Sequence, residues 1–188
     1  MPPLQTERLI VRPFEEGDLE AVLAVLEVHD AAGREATERY VRHGALNAVV
    51  LAELGQPPYG DRAVVLRDSG ELVGLAGLVP AYGPFDQLRP VESGRDRSAP
   101  RTHDRPEVGL FYHLHTERRG RGYATEAARA LVDFAFGPLR VYRIVATTER
   151  DNAASQAVMG HLGMTLHENP LDEPAWFQIV GILDNEGR

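Results

Sequence analysis

Hydrophobic and polar positions along this chain switch between a period of two and a period near 3.6, and the switches mark out strands and helices in alternation. Leu9-Ile10-Val11, set between Arg8 and Arg12, predicts a short strand that ends at Pro13. Asp18 stands where a helix N-cap is expected, ahead of Leu19, Val22, Leu23 and Leu26 at helical spacing. A second helix is expected from Arg34 to about Leu54, carrying Tyr40, Val41, Leu46, Val49 and Val50, until Gly55, Pro57, Pro58 and Gly60 end it. Arg62–Leu66 and Glu71–Val79 flank Asp68-Ser69-Gly70, which is a hairpin pattern.

From Pro80 to Pro106 the pattern lapses. Five prolines and five arginines stand there among acids, with little apolar content, so the segment predicts a long loop, either a surface insertion or a substrate-facing one. Glu107–Leu114 resumes as strand. A helix beginning at Tyr123 is expected to turn Tyr123, Ala127, Ala130, Leu131 and Phe134 to one face and Thr125, Arg129 and Asp133 to the other, with Gly137-Pro138 as its stop. Val141–Thr148 reads as strand, Asn152 to about Leu162 as a short helix closed by Gly163, and roughly Ala175–Leu183 as a last strand with Trp176 at its start. No internal repeat is visible. The expectation is one mixed α/β domain over residues 1–188, with the inserted loop at about 80–106.

With 188 residues, 43% of them hydrophobic, the chain suffices for one domain with a full core. A net charge of −8 and a pI near 5.4 argue against nucleic acid as the ligand, so any anion must be held by a local feature. Every cationic side chain is arginine. The absence of lysine rules out a Schiff-base lysine and the lysine of a P-loop, and the absence of cysteine rules out disulfides, thiolate metal sites and a cysteine acyl-enzyme. The first residues lack the basic and apolar regions of a signal peptide, and no apolar run approaches membrane-spanning length. A cytoplasmic protein with neither membrane nor nucleic-acid partner is expected; a homodimer is compatible with the sequence.

One segment carries chemistry on its face. Arg119-Gly120-Arg121-Gly122-Tyr123-Ala124 lies between a strand and a helix. Unpaired N–H groups converge at a helix start, where the macrodipole also favours negative charge, and glycines let a phosphate come close to the backbone. A dinucleotide fingerprint fits poorly, because the third glycine position counted from Gly120 is Thr125.

Arg119-x-x-Gly122-x-Ala124 resembles the coenzyme motif Gln/Arg-x-x-Gly-x-Gly/Ala of GNAT acetyltransferases, and Gly122-Tyr123-Ala124-Thr125-Glu126-Ala127 is similar to the RimJ/RimL-like branch. Thr6-Glu7-Arg8-Leu9-Ile10-Val11-Arg12, Glu71-Leu72-Val73-Gly74-Leu75-Ala76-Gly77, Asn152-Ala153-Ala154-Ser155 and Leu162-Gly163-Met164 resemble further segments of that branch, in its order. The resemblance implies the GNAT fold: a mixed, mostly antiparallel sheet, flanked by helices, whose parallel fourth and fifth strands splay apart. It implies acetyl-CoA as co-substrate and no metal. Backbone groups of Tyr112, His113 and Leu114 would meet the pantetheine arm, Arg119, Gly120, Arg121, Gly122, Tyr123, Ala124 and Thr125 would wrap the pyrophosphate, and Asn152 would reach the coenzyme from the other side of the splay.

Acetyl transfer to an amine needs a proton acceptor for the amine and a proton source for the departing sulfur. Glu107, at the start of its strand, is the candidate base; the alternative is a solvent-facing glutamate. Ser155, one turn after Asn152, is the candidate contact for the sulfur, against the alternative that Asp151, Asn152 and Ser155 simply cap a helix. Many GNAT enzymes place a tyrosine seven residues after the asparagine, where this chain has Met159. His113 and His115 share a strand face but are too few for a metal site, and Tyr40, Tyr82, Phe85 and Trp176 divide between acceptor pocket and core. The expected acceptor is a small amine or a protein N-terminus. A transferase of longer acyl groups and a silent coenzyme-binding module are the alternatives.

Overall fold

The computed structural model describes residues 1–83, 85, 105–169 and 173–185. Its elements in chain order are β1 (Leu4–Gln5), β2 (Leu9–Arg12), α1 (Leu19–Val25), α2 (Ala31–Glu53), β3 (Gly60–Leu66), β4 (Leu72–Gly83), β5 (Arg105–Leu114), α3 (Tyr123–Phe136), β6 (Arg143–Thr148), α4 (Ala153–Leu162), β7 (Thr165–Glu168) and β8 (Ile179–Asp184). Hydrogen bonding links the strands in the order β1-β2-β3-β4-β5-β6-β8-β7; β5 runs parallel to β6, and β1 with β2, β2 with β3, β3 with β4, β6 with β8 and β7 with β8 are antiparallel. This is the GNAT fold. The chain divides into two compact units, 1–79 with 110–140, and 80–109 with 141–188.

In the first unit, side-chain alternation on the sheet sorts the core into two layers. Leu9 and Val11 of β2 and Val64 of β3 are fully buried on one face, and Val11 pairs directly with Val64. On the other face Ala63, Val65 and Leu75 join Phe14, Val22, Val25 and Val41 from the α1–α2 side. A register shift between Val64 and Val65 inserts one extra residue into β4, a bulge that lets Leu72 and Leu75 both reach this layer. Gly74 is a steric requirement: a Cβ there would lie 2.3 Å from Leu114 Cδ2 and 2.6 Å from the His113 carbonyl oxygen. It lets β4 accept the end of β5, where the His115 N–H bonds the Val73 carbonyl at 3.0 Å.

Several boundaries differ from the sequence expectation, each for a local reason. Asp18 does not cap α1 with its side chain. Its carboxylate instead takes both Nη groups of Arg12, at 2.7 and 2.8 Å, together with the Glu15 N–H at 2.8 Å. Helix α2 starts earlier than expected because Asp30 is the cap, accepting the Gly33 N–H at 2.9 Å. The buried stripe of α3 is Ala127, Ala128, Leu131, Val132, Ala135 and Phe136, rotated from the face predicted; Tyr123, Ala130 and Phe134 are only half-buried. Strand β4 runs on to Gly83 and β5 begins at Arg105, so both ends of the expected 80–106 loop are strand, and residues 84 and 86–104 lie outside the described residues. The short strands β1 and β7 had no clear alternation to announce them.

In the second unit β6 pairs with β8 and β8 with β7. Phe85, Val145, Phe177 and Val180 form its core, with the Phe85 and Phe177 rings 5.2 Å apart edge to face. The last strand starts at Ile179 rather than Ala175, because residues 175–177 make a 3-10 turn that buries Phe177 and leaves Trp176 49% exposed. Gly181 of β8 makes room for α4: a Cβ there would stand 2.9 Å from the Met164 sulfur and 3.0 Å from that of Met159.

Arg62 is an energetic liability of the fold. It is 3% exposed, donates to the Pro58 carbonyl at 3.2 Å, and leaves Nε and Nη1 without a partner. Burial pulls its guanidinium down to about 10, so the folded state bears a desolvated charge without a counter-ion. Arg62→Met is therefore expected to stabilise the fold by roughly 1–3 kcal/mol, read as a rise of about 1 M in the urea midpoint at neutral pH.

Candidate active site

The glycine segment forms a turn that opens a helix. After β5, a 3-10 turn over Thr116–Arg118 is held by the Arg118 N–H on the His115 carbonyl at 2.9 Å. Gly120 and Gly122 follow with φ of +73° and +80°, the left-handed region that glycine enters without strain. Gly122 occupies the N-cap position of α3 with no capping side chain, and the first helical bond runs from the Glu126 N–H to the Gly122 carbonyl at 3.0 Å. The N–H groups of Tyr123, Ala124 and Thr125 therefore precede the first helical bond, at the positive end of the helix dipole. That is an anion cradle built from backbone.

The arginines expected there have separate duties. Arg119 donates Nε to the Leu114 carbonyl at 3.1 Å, which ties the loop back to the end of β5. Arg118 pairs with Glu71, Nε and Nη2 each 2.8 Å from a carboxylate oxygen. The Arg121 side chain is exposed, and its carbonyl oxygen accepts Nη1 of Arg8 at 3.0 Å.

Arg8 was not among the expected site residues. Its Nε and Nη2 lie 2.7 and 2.6 Å from Glu126 Oε2, its own N–H donates to Glu126 Oε1 at 2.9 Å, and its guanidinium covers the Tyr123 ring at 4.7 Å. Thr6 donates its hydroxyl to Glu126 Oε1 at 2.5 Å. Burial works against the Glu126 carboxylate, but these hydrogen bonds and the Arg8 charge hold it below the usual carboxylate range. The signal was present as two motifs, Thr6-Glu7-Arg8 and Thr125-Glu126, with nothing in the sequence to show that they meet.

The remaining first-unit residues sit at the end of β5. Phe111 packs on the α1–α2 core, and His113 places Nε2 3.2 Å from the Val25 carbonyl oxygen, so its ring packs against α1. His115 accepts the Glu117 N–H on Nδ1 at 3.3 Å. Tyr112 and Leu114 lie on the opposite face of the strand, and Leu114 is buried. Tyr40 stacks edge to face on Phe14 and donates its hydroxyl to Asp61 Oδ2 at 2.7 Å. Burial pushes the Asp61 carboxyl up against the pull of that bond.

In the second unit, β5 pairs with β6 at Val108↔Ile144 and Gly109↔Val145, while β5 continues to Leu114 and β6 to Thr148. Glu107 sits just before this short parallel pairing, half-buried, with Arg143 Nη1 4.0 Å from its Oε1. Arg143 is held more tightly by Asp184 at 2.6 Å, so Glu107 is the looser partner of a shared guanidinium. Asn152 caps α4, its Oδ1 accepting the Ser155 N–H at 3.0 Å, which brings the two residues together at one helix start. Met159 is fully buried over Gly181. Of the four aromatics, Phe85 is core and Tyr40 half-buried, whereas Tyr82 and Trp176 are exposed. Among the described residues no group of three or more His, Cys, Asp or Glu is placed to hold a metal, and no helix is long and apolar enough to cross a membrane.

Because Asn152 acts here through its carbonyl oxygen, Asn152→Ala should cost about 1 kcal/mol of stability, while Asn152→Asp should retain the cap to within about 0.5 kcal/mol. Urea unfolding of the two variants side by side checks this.

Residues 8–165 match the model of the acetyltransferase (GNAT) domain. The uncharacterized N-acetyltransferase YnaD of Bacillus subtilis is 25% identical over 165 residues, covering 86% of this chain and 81% of that one. An acetyltransferase structure from Agrobacterium tumefaciens is 28% identical with a TM-score of 0.64, over 97% of this chain and 94% of its own. RimL, a ribosomal alpha-N-protein acetyltransferase solved in complex with coenzyme A, superposes with a TM-score of 0.60 at 18% identity, over 94% and 93% of the two chains. With a domain match spanning most of its length, and with the strand order and helix-start loop described above, the chain belongs to the GNAT acetyltransferase family.

Proposed function

We propose that this protein is an acetyl-CoA-dependent N-acetyltransferase that moves the acetyl group directly to a primary amine, either a protein N-terminus or a small amine. The observation that carries the reading is the start of α3: two left-handed glycines deliver the N–H groups of residues 123–125 with no capping side chain, in a chain of net charge −8 that otherwise repels anions. Arg119 to Thr125 would take the pyrophosphate, and backbone groups of Tyr112, His113 and Leu114 the pantetheine arm. That RimL is bound to coenzyme A supports the choice of ligand. All 188 residues are read as one such domain.

In the reaction, the acceptor nitrogen bonds to the acetyl carbon and the carbon–sulfur bond breaks. The nitrogen gives up a proton and the sulfur gains one, so the products are an amide and a free thiol. Glu107 is assigned the amine proton, directly or through a water, since it is the half-buried carboxylate beside the parallel pairing and its tie to Arg143 is loose. Ser155 is assigned to the sulfur. Met159 cannot serve, because a thioether has no proton to give. Asn152 supports Ser155 by fixing its backbone.

The test is thiol release from acetyl-CoA with a panel of amines and N-terminal peptides. Turnover is expected, with Glu107→Gln lowering kcat/KM by about 100-fold while leaving coenzyme A affinity unchanged, and Ser155→Ala lowering kcat by about tenfold. Coenzyme binding without thiol release for any acceptor would favour a silent module. Faster turnover with a longer acyl-CoA would move the donor assignment.

A further inference from the structure

Glu126 presents a problem for the anion cradle. It is a carboxylate in the first turn of α3, one residue beyond the three N–H groups offered to the ligand, and it would repel a diphosphate there. It is only 16% exposed at the side chain, so water screens it poorly. What answers it is Arg8. The guanidinium places Nε and Nη2 on the same carboxylate oxygen, stacks over Tyr123, and sends Nη1 to the Arg121 carbonyl, the peptide between the two left-handed glycines. Thr6 and the Arg8 N–H fill the other carboxylate oxygen. A Cβ at Gly122 would meet Arg8 Nη2 at an ordinary contact distance of 3.4 Å, so what asks for glycine there is the left-handed φ of +80°.

We propose that Arg8 is a positioning residue for the coenzyme: it cancels the Glu126 charge at the mouth of the helix start and pins the Gly120–Gly122 turn, so that the cradle accepts the diphosphate. The inference rests on the coenzyme reading given above. Arg8 acts through its charge as well as through its bonds, and the two contributions separate. A brace alone fails with any substitution that removes the fork. A charge mask survives in lysine, and its loss is repaired by removing the charge it masks.

The experiment is titration of coenzyme A into the full-length protein by calorimetry, for the unaltered chain, Arg8→Met, Arg8→Lys, Glu126→Gln and the double variant Arg8→Met/Glu126→Gln, at low and at high salt. Arg8→Met is expected to weaken binding about tenfold, with the deficit shrinking at high salt, whereas Arg8→Lys and Glu126→Gln stay within about threefold. The double variant should recover most of the tenfold loss. In turnover the same loss should appear in KM for acetyl-CoA with kcat within about twofold. If Arg8→Met does not fold by urea titration, Arg8→Lys against Arg8→Lys/Glu126→Gln carries the test. A double variant as weak as Arg8→Met, or Arg8→Lys as weak as Arg8→Met, overturns the charge role. No binding by the unaltered protein overturns the coenzyme reading and this inference with it, while binding there with no recovery overturns this inference alone.

Discussion

On the coenzyme reading proposed above, the start of α3 must leave its own amides unused, and this one constraint organises the first unit. A serine or aspartate at the N-cap would satisfy an orphan N–H and stabilise α3 in isolation by about 1 kcal/mol. This chain puts glycine there instead, at φ +80°, and accepts a weaker helix end. Stability is supplied elsewhere, through a buried face of Ala127, Ala128, Leu131, Val132, Ala135 and Phe136. The small side chains in that stripe let α3 lie close over β2, whose Leu9 and Val11 are fully buried.

The same constraint explains why the turn is tied down on several sides. Two glycines give the chain freedom that has to be removed before a ligand arrives, or binding must bear the ordering cost. Arg119 fixes the turn to the end of β5, Arg118 fixes its first half to Glu71, and Arg8 fixes its middle carbonyl. Each anchor is an arginine reaching backbone or carboxylate with a planar fork. Most of the local positive charge is thereby committed to protein groups. On the proposed coenzyme reading, attraction for the anion comes from helix-start amides more than from free cations.

How much of this was legible in the sequence depends on the range of the determinant. The hairpin at Asp68-Ser69-Gly70, the cap at Asn152 and the close at Gly163 depend on a few adjacent residues, and each appears where its local pattern places it; Gly70 and Gly163 have the left-handed φ their roles demand. Asp18 misled because a capping residue and a salt-bridge acceptor look alike in sequence; only the fold brings Arg12 to it. The face of α3 was misjudged for a similar reason. Tyr123 and Phe134 are large and apolar, but Tyr123 is needed under Arg8 at the loop, so the buried stripe falls on the alanines. The tie between Thr6, Arg8 and Glu126 spans well over half the chain and has no local signature.

The chemistry of the second unit follows from packing in the same manner. Met159 stands at the spacing where many GNAT enzymes place a tyrosine, and its packing against β8 explains the methionine. Gly181 leaves space for the sulfur atoms of Met159 and Met164, which would stand only 2.9–3.0 Å from a Cβ there, so this position belongs to the core that joins α4 to the sheet. A tyrosine there would bring a rigid ring into space shaped for flexible thioethers, and overpacking of this kind costs roughly 1–3 kcal/mol. An acid, if the reaction uses one from the protein, must come from a position the core does not claim. Ser155 is such a position: it sits on the first turn of the same helix, half-buried, with its backbone fixed by Asn152. The methionine–glycine contact between α4 and β8 thus accounts for the side chain at 159, while Ser155 is fixed independently, by the Asn152 cap at the start of the same helix.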